Sequence, residues 1–200
     1  MRDLAIREII ESLKNRGVNL SSLKTLDFFA REGDWQTAYY ANLVSEAHAW
    51  EIDPSYETAL RKNLPVGAKI TIGDSHVLAK NCNEKFDMIV LDNPQGCYGE
   101  SYCEHFDALD VALPLIADEG LILFNVKTKP FNYSDKIHWQ KRRNDFYGIE
   151  ASNLNEDFVK KFYISFFEKR GFAVEFDFLC RRPHEDDLYV HVSKLSRKNP

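Results

Sequence analysis

The chain has 200 residues, with 26 Lys+Arg against 31 Asp+Glu and a formal net charge of −5. Its hydrophobic fraction of 44% and charged fraction of 28% are those of an ordinary globular domain, which excludes a disordered, collagenous or coiled-coil description of the whole. No apolar run approaches the roughly 18 residues of a membrane span. The first residues carry charge throughout rather than a leader's apolar block, and the four cysteines include no C-x-x-C pair. The expected setting is therefore a reducing cytoplasm, with no membrane and no zinc ribbon. The acidity argues against a surface that coats DNA everywhere, but it leaves room for one local basic patch.

Leu4, Ile6, Ile9, Ile10 and Leu13 recur at helical spacing and predict an N-terminal helix within 1–17, stopped by Gly17. Lys24–Phe29 is a short run rich in aromatic residues and predicts a buried strand ending in the turn Ala30–Asp34. A helix over 35–45 and a strand over His48–Glu51 follow. Asp53 is a good N-cap and Pro54 suits a first helical position, so a helix is expected from there to Leu64. Lys69–Gly73 is a third strand, and Asp74 and Ser75 can cap a short helix through Lys80. Phe86–Leu91 is apolar almost throughout, as a strand covered on both faces should be.

Glu100–Ile116 is expected to be helical, and Gly120–Val126 to be a fifth strand. The stretch 127–152 breaks the rhythm and reads as an inserted loop; Asn155–Arg170 is a helix ended by Gly171. Phe172–Leu179 and Leu188–Leu195 lie too close in sequence for a crossover helix, so they are expected to pair as an antiparallel hairpin. Regular alternation of strand and helix from Leu23 to Val126 points to parallel, right-handed crossover units in a single domain spanning 1–200.

An open sheet of this kind binds ligands beyond the carboxyl ends of its strands. Those ends carry acids and amides: Glu51, Asp74 and the pair Asp92-Asn93. A phosphate cradle would need glycines, a lysine and a Walker pattern, and none is present. Carboxylates at strand tips suit a ligand with hydroxyls, an amine and positive charge.

These segments, in this order, resemble the class I S-adenosylmethionine-dependent methyltransferases. Thr25-Leu-Asp-Phe-Phe-Ala-Arg-Glu-Gly33 resembles the family's first motif, and His48-Ala-Trp-Glu-Ile-Asp-Pro54 its second strand with a terminal acid. Ile72-Gly-Asp-Ser75 resembles the segment that reaches the adenine, and Phe86-Asp-Met-Ile-Val-Leu-Asp-Asn-Pro-Gln95 the fourth motif. The resemblance covers residues 20–195 and implies a three-layer, Rossmann-like α/β fold: a seven-stranded, mostly parallel sheet with a C-terminal antiparallel hairpin. It also implies S-adenosylmethionine as cofactor. Glu51 would take the ribose hydroxyls, with Ile52 beside it, and Asp74 and Ser75 would meet the adenine. Asp27 would reach the methionine ammonium directly or through water, and Phe29, Ala30 and Gly33 would line the methionine end, with Asp92 nearby. Arg31 and Glu32 stand where the family usually has small residues, which alters that pocket.

Family members that methylate base amines often carry Asp/Asn-Pro-Pro-aromatic after the fourth strand; here the segment is Asp92-Asn93-Pro94-Gln95. By that resemblance Asp92, Asn93 and Pro94 would orient the acceptor, which is catalysis by positioning. Gln95 would contact substrate, and Tyr98 or Tyr102 would supply the missing aromatic. A tight turn closing the strand explains the same residues without a substrate. His76, His105 and His138 are available as bases, but no His/Asp spacing marks a metal site.

In 127–152 the cations Lys129, Lys141, Arg142 and Arg143 interleave with aromatics such as Trp139. That composition suits a grip on single-stranded nucleic acid. It equally suits a lid whose aromatics tuck against the sheet. A second basic pair, Arg181-Arg182, lies in the hairpin turn. The expected function is methyl transfer to a nucleic acid, with a base exocyclic amine as one target. The alternatives are a small-molecule methyltransferase with an acidic substrate, or an inactive binding protein of the same fold.

Overall fold

A computed structural model describes residues 5–92, 97–98, 102–130, 135–183 and 185–198. Helix α1 (Ala5–Asn15) leads into strand β1 (Lys24–Asp27), α2 (Gln36–Tyr40), β2 (Glu46–Glu51), α3 (Glu57–Asn63), β3 (Lys69–Ile72), α4 (Ser75–Asn81) and β4 (Phe86–Leu91). A two-residue ribbon, β5 (Cys97–Tyr98) and β6 (Tyr102–Cys103), precedes α5 (Phe106–Ala112) and β7 (Ile116–Lys127). Then come α6 (Ile137–Tyr147), α7 (Glu156–Glu168), β8 (Phe172–Arg181) and β9 (Leu188–Arg197).

The main sheet has seven strands in the order β3-β2-β1-β4-β7-β9-β8. All pairs from β3 to β7 are parallel, and β9 runs antiparallel to both of its neighbours. Successive residues of a strand face opposite sides, and β4 shows the consequence. Met88 and Val90 pack with α1 and α2, whereas Ile89 and Leu91 pack with α5, α6 and α7. Both faces are covered, so β4 has no polar alternation. Ile6, Ile9, Ile10 and Leu13 are the buried stripe of α1, at the expected spacing. The chain winds outward through β2 and β3, then returns past β1 to β4. The strand order therefore reverses between β1 and β4, and a crevice opens at their carboxyl ends.

Four expectations change. The helix expected over 35–45 shortens to α2. The one expected from Glu100 begins only at Phe106, because Tyr102 and Cys103 pair with β5. It closes in a 3-10 turn around Pro114, and β7 starts at Ile116, four residues before Gly120. The stretch 127–152 is not simply a loop, since it contains the 11-residue α6. Trp139, Arg143 and Tyr147 form the buried face of α6 at i, i+4 and i+8, and Gly148 caps it with φ +70°. The helical stripe escapes a search for apolar periodicity because its middle member is an arginine. Among the described residues no helix is long and apolar enough to cross a membrane.

Candidate active site at the strand switch point

Beyond β1 the backbone stays tied to both neighbouring strands. Phe28 N donates to Val90 O at 3.0 Å and Ala30 N to Trp50 O at 3.0 Å. The chain then turns, with Gly33 N donating to Ala30 O at 2.8 Å. Arg31 sits at φ +49°, a conformation unfavourable for a side-chain-bearing residue. Glu51 holds it there: one carboxylate oxygen accepts Arg31 N at 2.7 Å and the other accepts Asp53 N at 2.9 Å. Glu51 thus fastens the turn after β1 to the end of β2.

A cavity of about 90 Å³ opens at this switch point. Phe29, Ala30 and Arg31 line it after β1, Trp35 and Thr37 at α2, Asp92 after β4, and Arg182 from the β8–β9 turn. Asp92 Oδ1 accepts Arg182 Nη1 at 2.8 Å, Asn125 Nδ2 at 3.2 Å and Gln36 Nε2. Asn125 also donates to the Asp92 carbonyl. Burial raises the Asp92 carboxyl above its usual range, and the Arg182 charge and the Gln36 bond oppose that shift. Gln36 is 3% exposed, and its Oε1 has no partner among the described residues.

Behind the cavity lies Asp27. Its Oδ2 accepts Thr37 Oγ1 at 2.5 Å and Tyr40 Oη at 3.1 Å, and its Oδ1 accepts Phe29 N at 3.1 Å. Complete burial pushes its carboxyl up to about 6, against the pull of these bonds. At the tip of β3, Asp74 accepts His76 N at 2.8 Å and so caps α4. The His76 ring stacks on Tyr102 at 4.2 Å.

No protein family matches the chain by sequence, and no curated protein sequence does. Solved structures do match its shape. A tRNA m1G37 methyltransferase from M. jannaschii superposes with a TM-score of 0.56 at 16% identity, covering 98% of this chain and 49% of its own. A candidate RNA methyltransferase from Pyrococcus horikoshii gives 0.58 at 18% identity over 98% and 85% of the two chains. M. jannaschii TYW2, solved with AdoMet, gives 0.54 at 15% identity over 94% and 75%. This chain therefore spans about half the length of the first of these. The fold is the Rossmann-like methyltransferase fold.

Within that methyltransferase fold the structure brings together Phe29, Ala30 and Asp92, and it ties Glu51 to the same turn. Several expected contacts change. Asp27 is fully buried with Thr37 between it and the cavity, so it makes no direct contact with a ligand there. Ser75 is buried and donates its hydroxyl to Phe28 O, which pins α4 to β1 rather than serving a cofactor. Gly33 is also required by the fold itself. It sits at φ +66°, and a Cβ there would lie 2.9 Å from Leu60 Cδ2 of α3.

The basic segment is corrected as well. Arg143 is 1% exposed and ion-paired with Glu104, and it also donates to Ala151 O at 2.7 Å and Lys127 O at 2.6 Å. Trp139 is buried in the same layer. Neither side chain can hold a substrate. Lys141 and Arg142 are exposed but paired with Asp145 and Asp107, and they line a groove between α5, α6 and α7 that shares no residue with the cavity. Lys129, by contrast, is exposed just beyond β7, and Ile52 is 65% exposed beside Glu51. His105, buried against Tyr163 Oη, is held well below its ordinary pKa by desolvation and is a neutral core residue. Asn93, Pro94 and Gln95 and the Tyr98 side chain lie outside the described residues.

The sequence reading passed over Gln36 and Asn125, and took Arg182 only as part of a basic pair in the hairpin turn. Asn125 carried a usable signal: a lone amide inside the apolar run of β7. Buried polar groups need partners, and here those partners are Asp92 and Arg182.

Proposed function

We propose that this protein transfers a methyl group from S-adenosylmethionine to a nucleic acid, with RNA favoured over DNA, in a cytoplasmic setting. The observation that carries the reading is the run of acids at successive parallel strand ends around one crevice: Glu51 after β2, Asp74 after β3 and Asp92 after β4. The residues suit the cofactor. A carboxylate offers about four lone-pair positions, and Glu51 uses two on backbone N–H groups, which leaves capacity for a ribose diol. Ile52 supplies an exposed apolar side chain beside it, and Asp74 has an oxygen left over from its cap. The orphaned Gln36 Oε1 suits an ammonium donor. The bound cofactor would supply an electrophilic methyl group on a sulfonium, while the protein's work is to bind and orient. The RNA preference comes from the tRNA and RNA methyltransferases that share the fold. In this reading Asp92 orients the acceptor, a base exocyclic amine being one target, and Lys129 lies near the substrate.

A second reading, a small acidic substrate, is favoured by Arg31 and Arg182 at the cavity and by the neutralised cations of α6. Calorimetry with S-adenosylhomocysteine tests the cofactor; micromolar binding is expected, and none from folded protein refutes enzyme activity of this chain alone. Labelled methyl transfer to RNA, to DNA and to small acids, each over a salt series, separates the two substrates. A polyanion gives a steep loss with salt and a small acid a shallow one.

A further inference from the structure

Arg182 and Asp92 are joined across 90 residues of sequence by a bond of 2.8 Å from Nη1 to Oδ1. Both side chains are largely buried, at 8% and 15% exposed. A fastened turn delivers the arginine. Arg182 N donates to Leu188 O at 2.9 Å, and Glu185 N donates to the Arg182 carbonyl at 3.3 Å. The same turn is tied to the end of β7, where Thr128 N donates to Asp187 O at 2.8 Å and Lys127 Nζ to Asp187 Oδ1 at 3.1 Å.

Three elements aim donors at one oxygen. Gln36 of α2, Asn125 of β7 and Arg182 of the turn all donate to Asp92 Oδ1. Asn125 also donates to the Asp92 carbonyl. Among the described residues nothing donates to Oδ2, so the carboxylate is pinned by one oxygen and offers the other. Only one of the three donors is charged, and that matters in a place that disfavours an anion. Burial raises the Asp92 carboxyl; the Arg182 charge heads the influences that oppose it, ahead of the Gln36 bond and the more weakly acting Arg31. Asp27, the second acid behind the cavity, repels the Asp92 charge. Tyr40 stays neutral, its hydroxyl pushed well up by burial and by both acids.

The protonation state decides what Asp92 can do. An ionised Oδ2 accepts from an amine N–H and leaves the nitrogen lone pair free. A protonated carboxyl donates to that lone pair and blocks it. Taking the cation from a buried carboxylate favours the protonated form.

We propose that Arg182 is a positioning residue: from the β8–β9 turn it holds Asp92 ionised, with Oδ2 turned to the acceptor. This rests on the methyltransferase reading, in which Asp92 orients the acceptor, and deepens it by naming what keeps that acid in its working state.

Carbon NMR of the full chain, labelled at the aspartate carboxyls, tests the charge without any substrate; Asp92→Asn assigns the signal. In wild type Asp92 should be ionised at neutral pH. Arg182→Met should raise its midpoint by about one to three pH units, the scale of a lost opposite charge, and Arg182→Lys by less than half of that. Transfer of a tritiated methyl group from S-adenosylmethionine to total RNA, followed against pH, tests the consequence. Each unit by which the midpoint rises above the assay pH cuts the ionised fraction about tenfold. Arg182→Met should therefore lose about tenfold in kcat at neutral pH, keep its KM for S-adenosylmethionine within about twofold, and recover most of the rate by about pH 9. A merely structural loss does not recover with pH. An unchanged midpoint in Arg182→Met, or a loss equal at every pH, overturns the proposal. So does a wild-type Asp92 that is protonated at neutral pH, a result that needs no variant to fold. If wild type binds S-adenosylhomocysteine yet methylates no RNA, the nucleic-acid reading fails and the acceptor role with it, while the midpoints judge the ion pair separately.

Discussion

Thr37 donates its hydroxyl to Asp27 at 2.5 Å and stands between that acid and the cavity. Asp27 therefore works from behind: it orients Thr37 and Tyr40 of α2 and carries a charge the interior disfavours. Its carboxyl is pushed up to about 6, from an ordinary 3.8. A raised carboxyl binds its proton more tightly in the folded state, so its stabilising contribution is complete below about pH 4 and is lost as the pH rises through 6.

At about 1.4 kcal/mol per unit, the loss is about 3 kcal/mol. The stability of wild type relative to Asp27→Asn should therefore fall by that order between pH 4 and pH 7. Urea midpoints at the two pH values measure it. A difference that does not change with pH removes Asp27 as its source.

Glu51→Ala should weaken S-adenosylhomocysteine binding by about 1–3 kcal/mol, the scale of hydrogen bonds to a charged group. The same change frees Arg31 N and Asp53 N, so the turn after β1 should loosen. Calorimetry beside thermal unfolding separates the two effects. Unchanged affinity in a folded variant refutes the cofactor role.

Arg143→Met leaves the buried Glu104 carboxylate without its cation and should cost about 3–5 kcal/mol of stability. The double variant Arg143→Met/Glu104→Gln should recover part of that loss. Denaturant unfolding measures both. If the single variant keeps its stability and instead loses nucleic-acid affinity, Arg143 is a substrate contact after all.

Gly33→Ala should destabilise the protein by about 1–3 kcal/mol, combining backbone strain at positive φ with crowding against α3. The flexible end of Leu60 can yield somewhat, so the strain should dominate. Thermal unfolding reads it, and a neutral substitution would show that the turn relaxes freely.

Reversing the charges of Lys141 and Arg142 should leave the salt dependence of nucleic-acid binding unchanged, because each already faces a carboxylate in a groove away from the cavity. Lys129→Glu should reduce the slope by about 0.7, the single-strand value for one phosphate. Titrations over a salt series decide between the two surfaces.

The amino-acid sequence alone determined the α/β class, most strand positions, the α1 stripe and the caps at Asp53 and Asp74. These depend on local periodicity and on side chains bonding backbone two or three residues away, so they are legible without a partner. It also marked the acids at the strand tips, because a parallel sheet sends its ligand to its carboxyl ends. What each polar residue does there was decided by tertiary structure. Arg143 reads as a surface cation until Glu104 meets it in the interior. Arg182 reads as a solvated turn until the hairpin carries it to Asp92. Gln36 and Asn125 gain meaning only as neighbours of that acid. Whether a charge is buried depends on which distant group neutralises it, and only the folded chain brings those partners together.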